Sequence, residues 1–301
     1  MSASDLYGEL RPRAFAIAYQ MLGSVSEAED IVQEAFLRMH QTRQRDEPIT
    51  SPRAYIATLV TRLSIDQLRS ARVRRERYVG EWLPEPLVTE PSPAEQAETA
   101  DSLSVAFLVL LESLSPRQRA AFLLREAFEY PYAEVAEIIG SDVDSTRHLV
   151  AQARRHVRER RPRYYAPRRQ RDELAARFFA AAERGDLPSL ETMLAQDVTL
   201  HADGGGKVPA LARPVNGRVR VARTVSAGMS ALARYGVRLH LTEVNGQPGA
   251  VAYDGQDGLV AVMALDIADG QIQAIHSIAN PDKLGHLDRV SDLGARLRSR
   301  P

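Results

Sequence analysis

The chain has 301 residues, enough for two or three domains with separate cores, and no cysteine, which excludes a disulfide framework, thiolate metal sites and a cysteine nucleophile. Basic and acidic side chains both number 39, so a formal net charge of +0 favours no acidic partner in bulk. The opening MSASDLYGELRPR lacks an apolar signal core, and no apolar run approaches the length of a membrane span, so a cytoplasmic protein is expected.

The neutral total conceals segregation. Arg53 to Arg77 holds seven arginines against Asp66 and Glu76. Glu81 to Glu98 holds five glutamates and no basic residue, and Arg154 to Arg171 holds nine arginines against Glu159. From Asp172 onward the balance is nearly even, 14 basic to 15 acidic. Two basic blocks flanking an acidic one suggest two surfaces that face nucleic acid, although either block alone reads as a solvated helix face.

In chain order, Leu6 to Leu22 has helical apolar spacing, interrupted early by Pro12. SEAEDIVQEAFLRM opens with Ser26 and Glu29 in capping-box register. Ile31, Ala35, Leu37 and Met39 are expected on its apolar side, and Asp30, Gln33, Glu34 and Arg38 on its polar side. Ser51-Pro52 starts a further helix through Tyr55, Leu59, Leu63 and Leu68 into an arginine-rich end. GEWLPEPLVTEPSP is proline-rich and acidic, a linker rather than a helix. It carries the single tryptophan, Trp82, and is expected to dock. Helices are expected to resume at Ala94, and Ser115-Pro116 caps another. Tyr132 to Ile139, a stop at Gly140 and a new start near Val143 are helix-turn-helix grammar, with Val135, Ile139, Val143, Leu149 and Val150 as its core and Ala136 at the crossing.

Beyond Arg171 the texture changes to a helix stopped at Gly185, a short helix, a strand, a helix over 217–235 and four alternating segments. Asn245-Gly246 and Asp269-Gly270 are hairpin signals, so a separate α+β domain is expected. Its first strand leaves into DGGGK, which suggests a phosphate-binding loop. The span before Lys207 is too short, however, and Val208 stands where a P-loop needs Ser or Thr. Lys207 and Lys283 are the only lysines.

SEAEDIVQEAFLRM, SPRAYIATLVTRLSIDQLRS and LSPRQRAAFLLREAFEYPYAEVAEIIG, in that order, resemble regions 2 and 4 of the extracytoplasmic-function (ECF) sigma factors of the sigma-70 family. WLPEP, DGGGK and NPDKL resemble the SigJ-type subgroup, which has a SnoaL-like domain of the nuclear-transport-factor-2-like cone fused at the C-terminus. The fold class implied is multidomain: a region 2 helical bundle over 1–79, a linker over 80–93, a region 4 helix-turn-helix over 94–165, an α+β SnoaL-like domain over 166–285 and a tail over 286–301. By the resemblance, Asp30, Gln33, Glu34 and Arg38 meet the β′ clamp helices of core RNA polymerase, with the β flap as a second polymerase contact.

Tyr55, Arg62, Arg69, Arg72, Arg74 and Arg75, with the loop Arg43 to Ser51, serve the melted −10 promoter element. Tyr55 stands where the family often has Trp, and Arg62 where it often has Asn. Arg147, His148, Ala151 and Gln152 face the −35 major groove, with Arg154 and Arg155 on phosphates. The family often has Arg at the Gln152 position. The fused domain is expected to act in cis in place of a separate anti-sigma factor, through Trp82, Leu83, Pro84, Asp203, Gly205, Lys207, Asn280, Pro281, Asp282 and Lys283. No cofactor, metal or catalytic residue is expected. The competing class is a small-molecule-binding protein or a cyclase- or isomerase-type enzyme using His201, Asp203, Lys207, His240, Asp254 or His276, fused to a DNA-binding module.

Overall fold

The structure is a computed structural model that describes residues 3–45, 48–75, 78–89, 103–158 and 167–294. The chain divides into two compact units, one of residues 1–77 with 110–161 and one of residues 78–109 with 162–301. The segment read as a linker that docks belongs to the C-terminal unit, as does the tail, whose Leu293 is buried in an apolar cluster.

The first unit is helical. Helices α1 (Ala3–Leu22), α2 (Val25–Gln44) and α3 (Pro52–Arg75) pack on one another. The expected cap of α2 is displaced by two residues. Gly23, at φ 67°, ends α1, leaving Ser24 as the extended residue whose Oγ accepts the Glu27 N–H at 3.2 Å. The buried stripe follows the helix as placed: Val25, Ala28, Val32, Ala35 and Met39 are buried, Ile31 is half-buried and Leu37 is exposed. On α3 the core is made by Ile56, Ala57, Val60, Ile65 and Leu68, while Leu59 and Leu63 are half-buried.

Helices α5 (Pro116–Glu126), α6 (Tyr132–Ile139) and α7 (Val143–Arg158) follow α4 (Val105–Leu111), which carries the chain out of the C-terminal unit. The helical start expected at Ala94 lies outside the described residues. Ser115 and Gln118 form a reciprocal capping box on α5. Gly140, at φ 64°, closes α6 in the left-handed conformation, with Ser141 N on Ala136 O at 2.8 Å. The core of this helix-turn-helix uses Val135, Ile138, Ile139, Thr146, Val150, Ala153 and Val157. Val143 and Leu149, expected inside, are only half-buried because α7 turns its Val150–Val157 stripe inward. Regions 2 and 4 pack together within this unit. Buried Arg119 of α5 donates to Met21 O at 2.6 Å, to Leu111 O at 3.0 Å and to Glu112 Oε1 at 2.7 Å. Burial pulls its guanidinium down to about 9, still charged at neutral pH.

The second unit is α+β. Its sheet runs β1-β4-β5-β6-β7-β2-β3, where β1 is Val88–Thr89, β2 Leu194–Asp203, β3 Val215–Asn216, β4 Arg238–Val244, β5 Gln247–Tyr253, β6 Leu259–Ala268 and β7 Gln271–Ile278. The β2–β7 pair is parallel and the other pairs are antiparallel. Helices α8 (Arg168–Arg184), α9 (Leu187–Met193) and α10 (Arg218–Ala233) cover one core, in which Phe178, Leu190, Val221, Leu265 and Ile275 are buried together. Both predicted hairpin turns form. Asn245 and Gly246 stand at φ 53° and 72°, Asp269 and Gly270 at 51° and 70°, the paired left-handed residues a type I′ turn demands. The linker contributes strand β1, and Leu83 enters a second core with Val244, Val251, Leu259, Val262 and Ile278.

Candidate functional site

The α2 residues expected to meet polymerase lie on one side of the helix, together with Leu37. Asp30, Gln33 and Arg38 are exposed, Glu34 is half-buried, and Arg38 Nε pairs with Glu34 Oε1 at 2.7 Å. Positions 30, 33, 34, 37 and 38 share one helical face, so Leu37, 51% exposed, stands among these polar groups. A large exposed apolar side chain ringed by charge is the usual centre of a protein-binding patch.

On α3, the Tyr55 hydroxyl lies 2.9 Å from Thr42 Oγ1, which ties the ring to the end of α2. Arg62 is not free for phosphate in this arrangement. Its Nε donates to Ile138 O and a terminal nitrogen to Glu137 O, both at 3.0 Å, so it caps the carbonyl end of α6. Arg69 pairs with Asp66 at 3.2 Å. Arg72, Arg74 and Arg75 lie on the last turns of α3, and their side chains are outside the described residues, as are 46–47 of the expected −10 loop.

On α7, Arg147, His148, Ala151, Arg154 and Arg155 are exposed along one side. Arg147 pairs with Asp144 at 3.1 Å and its guanidinium sits 5.7 Å from the Tyr132 ring centre. Gln152 is half-buried, its Oε1 accepting from Gln118 Nε2 at 3.0 Å. Arg154 donates to Glu126 Oε1 at 2.7 Å, a bond that raises its pKa above the ordinary arginine value.

The three C-terminal motifs converge on one carboxylate. Asp203 is wholly buried and accepts four bonds. Tyr78 Oη (2.6 Å) and Gly205 N (3.0 Å) reach Oδ1, while Leu83 N (2.9 Å) and Lys283 Nζ (2.7 Å) reach Oδ2. Lys283, 6% exposed, also donates to Leu83 O, and its ammonium lies 4.3 Å from the Trp82 ring centre and 4.9 Å from that of Tyr78. Asn280 Nδ2 donates to Tyr78 Oη at 2.7 Å. Burial, and then the bond to Asp203, pushes the Tyr78 phenol up, so it stays a donor. Gly205, at φ 58°, is required because a Cβ there would collide with the Asn280 amide. Lys207 pairs with exposed Asp282 at 2.6 Å, inside its own domain. The cluster gathers Trp82, Leu83, Asp203, Gly205, Asn280 and Lys283, drawn from WLPEP, DGGGK and NPDKL. It adds Tyr78, which no motif flagged and which only an aromatic shortly before WLPEP could have signalled.

A second linker contact lies beside it. His201 Nδ1 is 2.6 Å from Glu81 Oε1 and its Nε2 is 3.0 Å from Thr199 Oγ1. His201 stacks on His276 at 5.1 Å between ring centres. Neither nitrogen of His276 has a hydrogen-bond partner among the described residues, and burial, with the His201 charge second, pulls it down to about 3. His276 is thus a neutral slab. His240 is exposed and Asp254 is engaged by the N–H groups of Gln256 and Gly258. Among the described residues no group of three or more His, Asp or Glu could hold a metal ion.

Comparison with known proteins places these parts. Residues 6–74 match the family Sigma-70 region 2, and residues 104–157 match Sigma-70, region 4. The ECF RNA polymerase sigma factor SigJ of Mycobacterium tuberculosis is 39% identical over 91% of this chain and 90% of its own length. A probable ECF RNA polymerase sigma factor SigI of the same species is 32% identical over 90% of this chain and 91% of its own. The crystal structure of the M. tuberculosis SigJ protein superposes with a TM-score of 0.75 at 36% identity, covering 94% of this chain and 98% of that one. With helical regions 2 and 4 in that order and a sheet domain behind them, the chain belongs to the ECF sigma factors of the sigma-70 family.

Proposed function

We propose that the chain is a cytoplasmic transcription initiation factor that binds core RNA polymerase and directs it to promoters, with its C-terminal domain acting in cis. Polymerase is engaged by Asp30, Gln33, Glu34, Leu37 and Arg38 of α2. The −10 strand is held by Tyr55 and the α3 arginines, and the −35 duplex by Arg147, His148 and Ala151 of α7. Arg154 and Arg155 rest on phosphates, and Gln152 takes part.

The carrying observation is the clamp on Asp203, because the chain joining the two DNA-reading regions is built into the regulatory domain. Elements at −10 and −35 lie about 25 base pairs apart, roughly 85 Å along a duplex. Regions 2 and 4 packed in one unit, with Arg62 committed to α6, cannot serve both at once. Release of residues 78–89 frees twelve residues, about 40 Å of reach. The clamp therefore favours the packed state, and unclamping favours initiation.

Asp203 also bears on the enzyme reading. Its four donors leave it no free lone pair to act as a base, which weighs against chemistry in this domain.

Binding to purified core polymerase tests the reading. Leu37→Asp is expected to weaken it by about 2 kcal/mol or more, as for a central interface residue, with unchanged thermal stability. Arg147→Ala is expected to spare polymerase binding and weaken promoter binding. Wild-type affinity for polymerase in Leu37→Asp and Asp30→Ala alike would refute the assignment of α2.

A further inference from the structure

A chain of polar groups starts at the N-terminal end of α5 and ends on the side of α7 assigned to duplex DNA. Its first donor is backbone. Ser115 N–H donates to Gln118 Oε1 at 3.0 Å, one half of the capping box in which Ser115 Oγ accepts from Gln118 N. Gln118 Nε2 then donates to Gln152 Oε1 at 3.0 Å. Gln152 Nε2 makes no hydrogen bond with a described residue.

Hydrogen-bond chemistry fixes the polarity of each link. A backbone N–H can only donate, so the end of the Gln118 amide that meets Ser115 is its oxygen. The other end is then an NH2 group, which can only donate, so Gln152 turns its oxygen toward α5. What is left for a partner outside the protein is the pair of N–H bonds on Gln152 Nε2. Gln152 stands one turn beyond His148 and next to Ala151, both exposed.

Bases differ in which end of an amide they take in the major groove. A free glutamine reads adenine with both ends, its oxygen accepting from N6 and its nitrogen donating to N7. A glutamine whose oxygen is held offers donors alone. Guanine presents two acceptors there, N7 and O6, whereas cytosine presents only the N4 donor.

We propose that Gln118 is a positioning residue for promoter reading: it holds the Gln152 amide with Nε2 outward, so that one position of the −35 element is read as guanine rather than adenine. This rests on the reading that α7 enters the −35 major groove. Gln118 touches no base itself. Its cap on α5 sets which end of Gln152 meets the DNA.

The test uses the full chain bound to core polymerase, selecting from a duplex library randomised across the −35 segment. Gln152→Ala should lose base preference at one position, which locates the base pair that Gln152 reads. Wild type should favour guanine over adenine there by about fivefold or more, the low end for a side chain making two hydrogen bonds to one base. Gln118→Glu is the decisive variant. Glutamate at this place keeps the capping box and the fold, but a carboxylate only accepts. It therefore takes Gln152 by Nε2 and turns Oε1 outward, and preference at the same position should pass to cytosine or adenine. Gln118→Met, which cannot orient the amide, should leave guanine and adenine equal. Ratios are compared within each variant, after circular dichroism has verified its helical fold.

Arg147→Ala should weaken duplex binding and keep the guanine preference. If it does weaken binding, then adenine preferred by wild type, no position altered in Gln152→Ala, or guanine still preferred in both Gln118 variants overturns the positioning role alone. Wild-type duplex binding by Arg147→Ala together with no altered position in Gln152→Ala overturns the −35 assignment and the positioning role with it.

Discussion

Asp203 illustrates what one buried charge demands. A carboxylate without water needs its lone pairs filled, and here the donors come from the linker, the glycine loop and NPDKL. Two lysines in an arginine-rich chain were a visible sign, and Lys283 shows the reason. A compact ammonium can reach a carboxylate, a carbonyl and two ring faces at once, which a planar guanidinium cannot. Tyr78 was not legible, because nothing in its neighbours marks it until the fold brings Asp203 to it.

His276 gives the residue-scale expectation. Its folded pKa of about 3 lies below the unfolded value, so the unfolded chain takes the proton first. The stability it contributes is complete above about pH 6.5 and is lost as the pH falls toward about 3. Unfolding followed by the fluorescence of Trp82, the single tryptophan, should therefore lose about 2 kcal/mol more in wild type than in His276→Leu between about pH 7 and about pH 5. Parallel profiles would contradict the buried neutral imidazole.

At the scale of elements, capping and turn chemistry were the most readable features. Ser115, Gly140, Gly185 and both type I′ turns fall where the residue types put them, because each depends on two or three neighbouring positions. Burial patterns were less readable, since they depend on what the helix packs against. Leu37 has the residue type of a core position yet is exposed, and Val143 and Leu149 are only half-buried. Gly140 supports a direct test. Alanine there must hold a left-handed conformation, which costs about 1–2 kcal/mol. Unfolding of the helical unit by circular dichroism should shift by that amount in Gly140→Ala, with asparagine recovering part of it and the Trp82 transition unmoved. Equal stability of Gly140→Ala and wild type would contradict the closing role of the turn.

At the scale of the whole molecule, the order of helical regions and sheet domain was legible from motifs, whereas the membership of the linker was not. A proline-rich acidic stretch with the single tryptophan reads as a linker that docks, and nothing local names the surface it docks on. Leu83 in an apolar core, Val88 paired with Val244 and Leu87 hydrogen-bonded to buried Asn245 make it part of the C-terminal unit. Such burial follows from contacts more than a hundred residues away in sequence, which no local pattern encodes.

The clamp on that segment is the centre of the proposed regulation, and transcription from a defined promoter with purified core polymerase tests it most directly. The double variant Asp203→Asn, Lys283→Met removes both charges together, so no buried charge is left uncompensated, while the ammonium is lost from Leu83 O and the Trp82 face. With the C-terminal fold verified by circular dichroism, promoter-dependent output should rise about fivefold or more, the usual scale of coupling between two states. Output equal to wild type from a folded double variant would contradict regulation through the clamp.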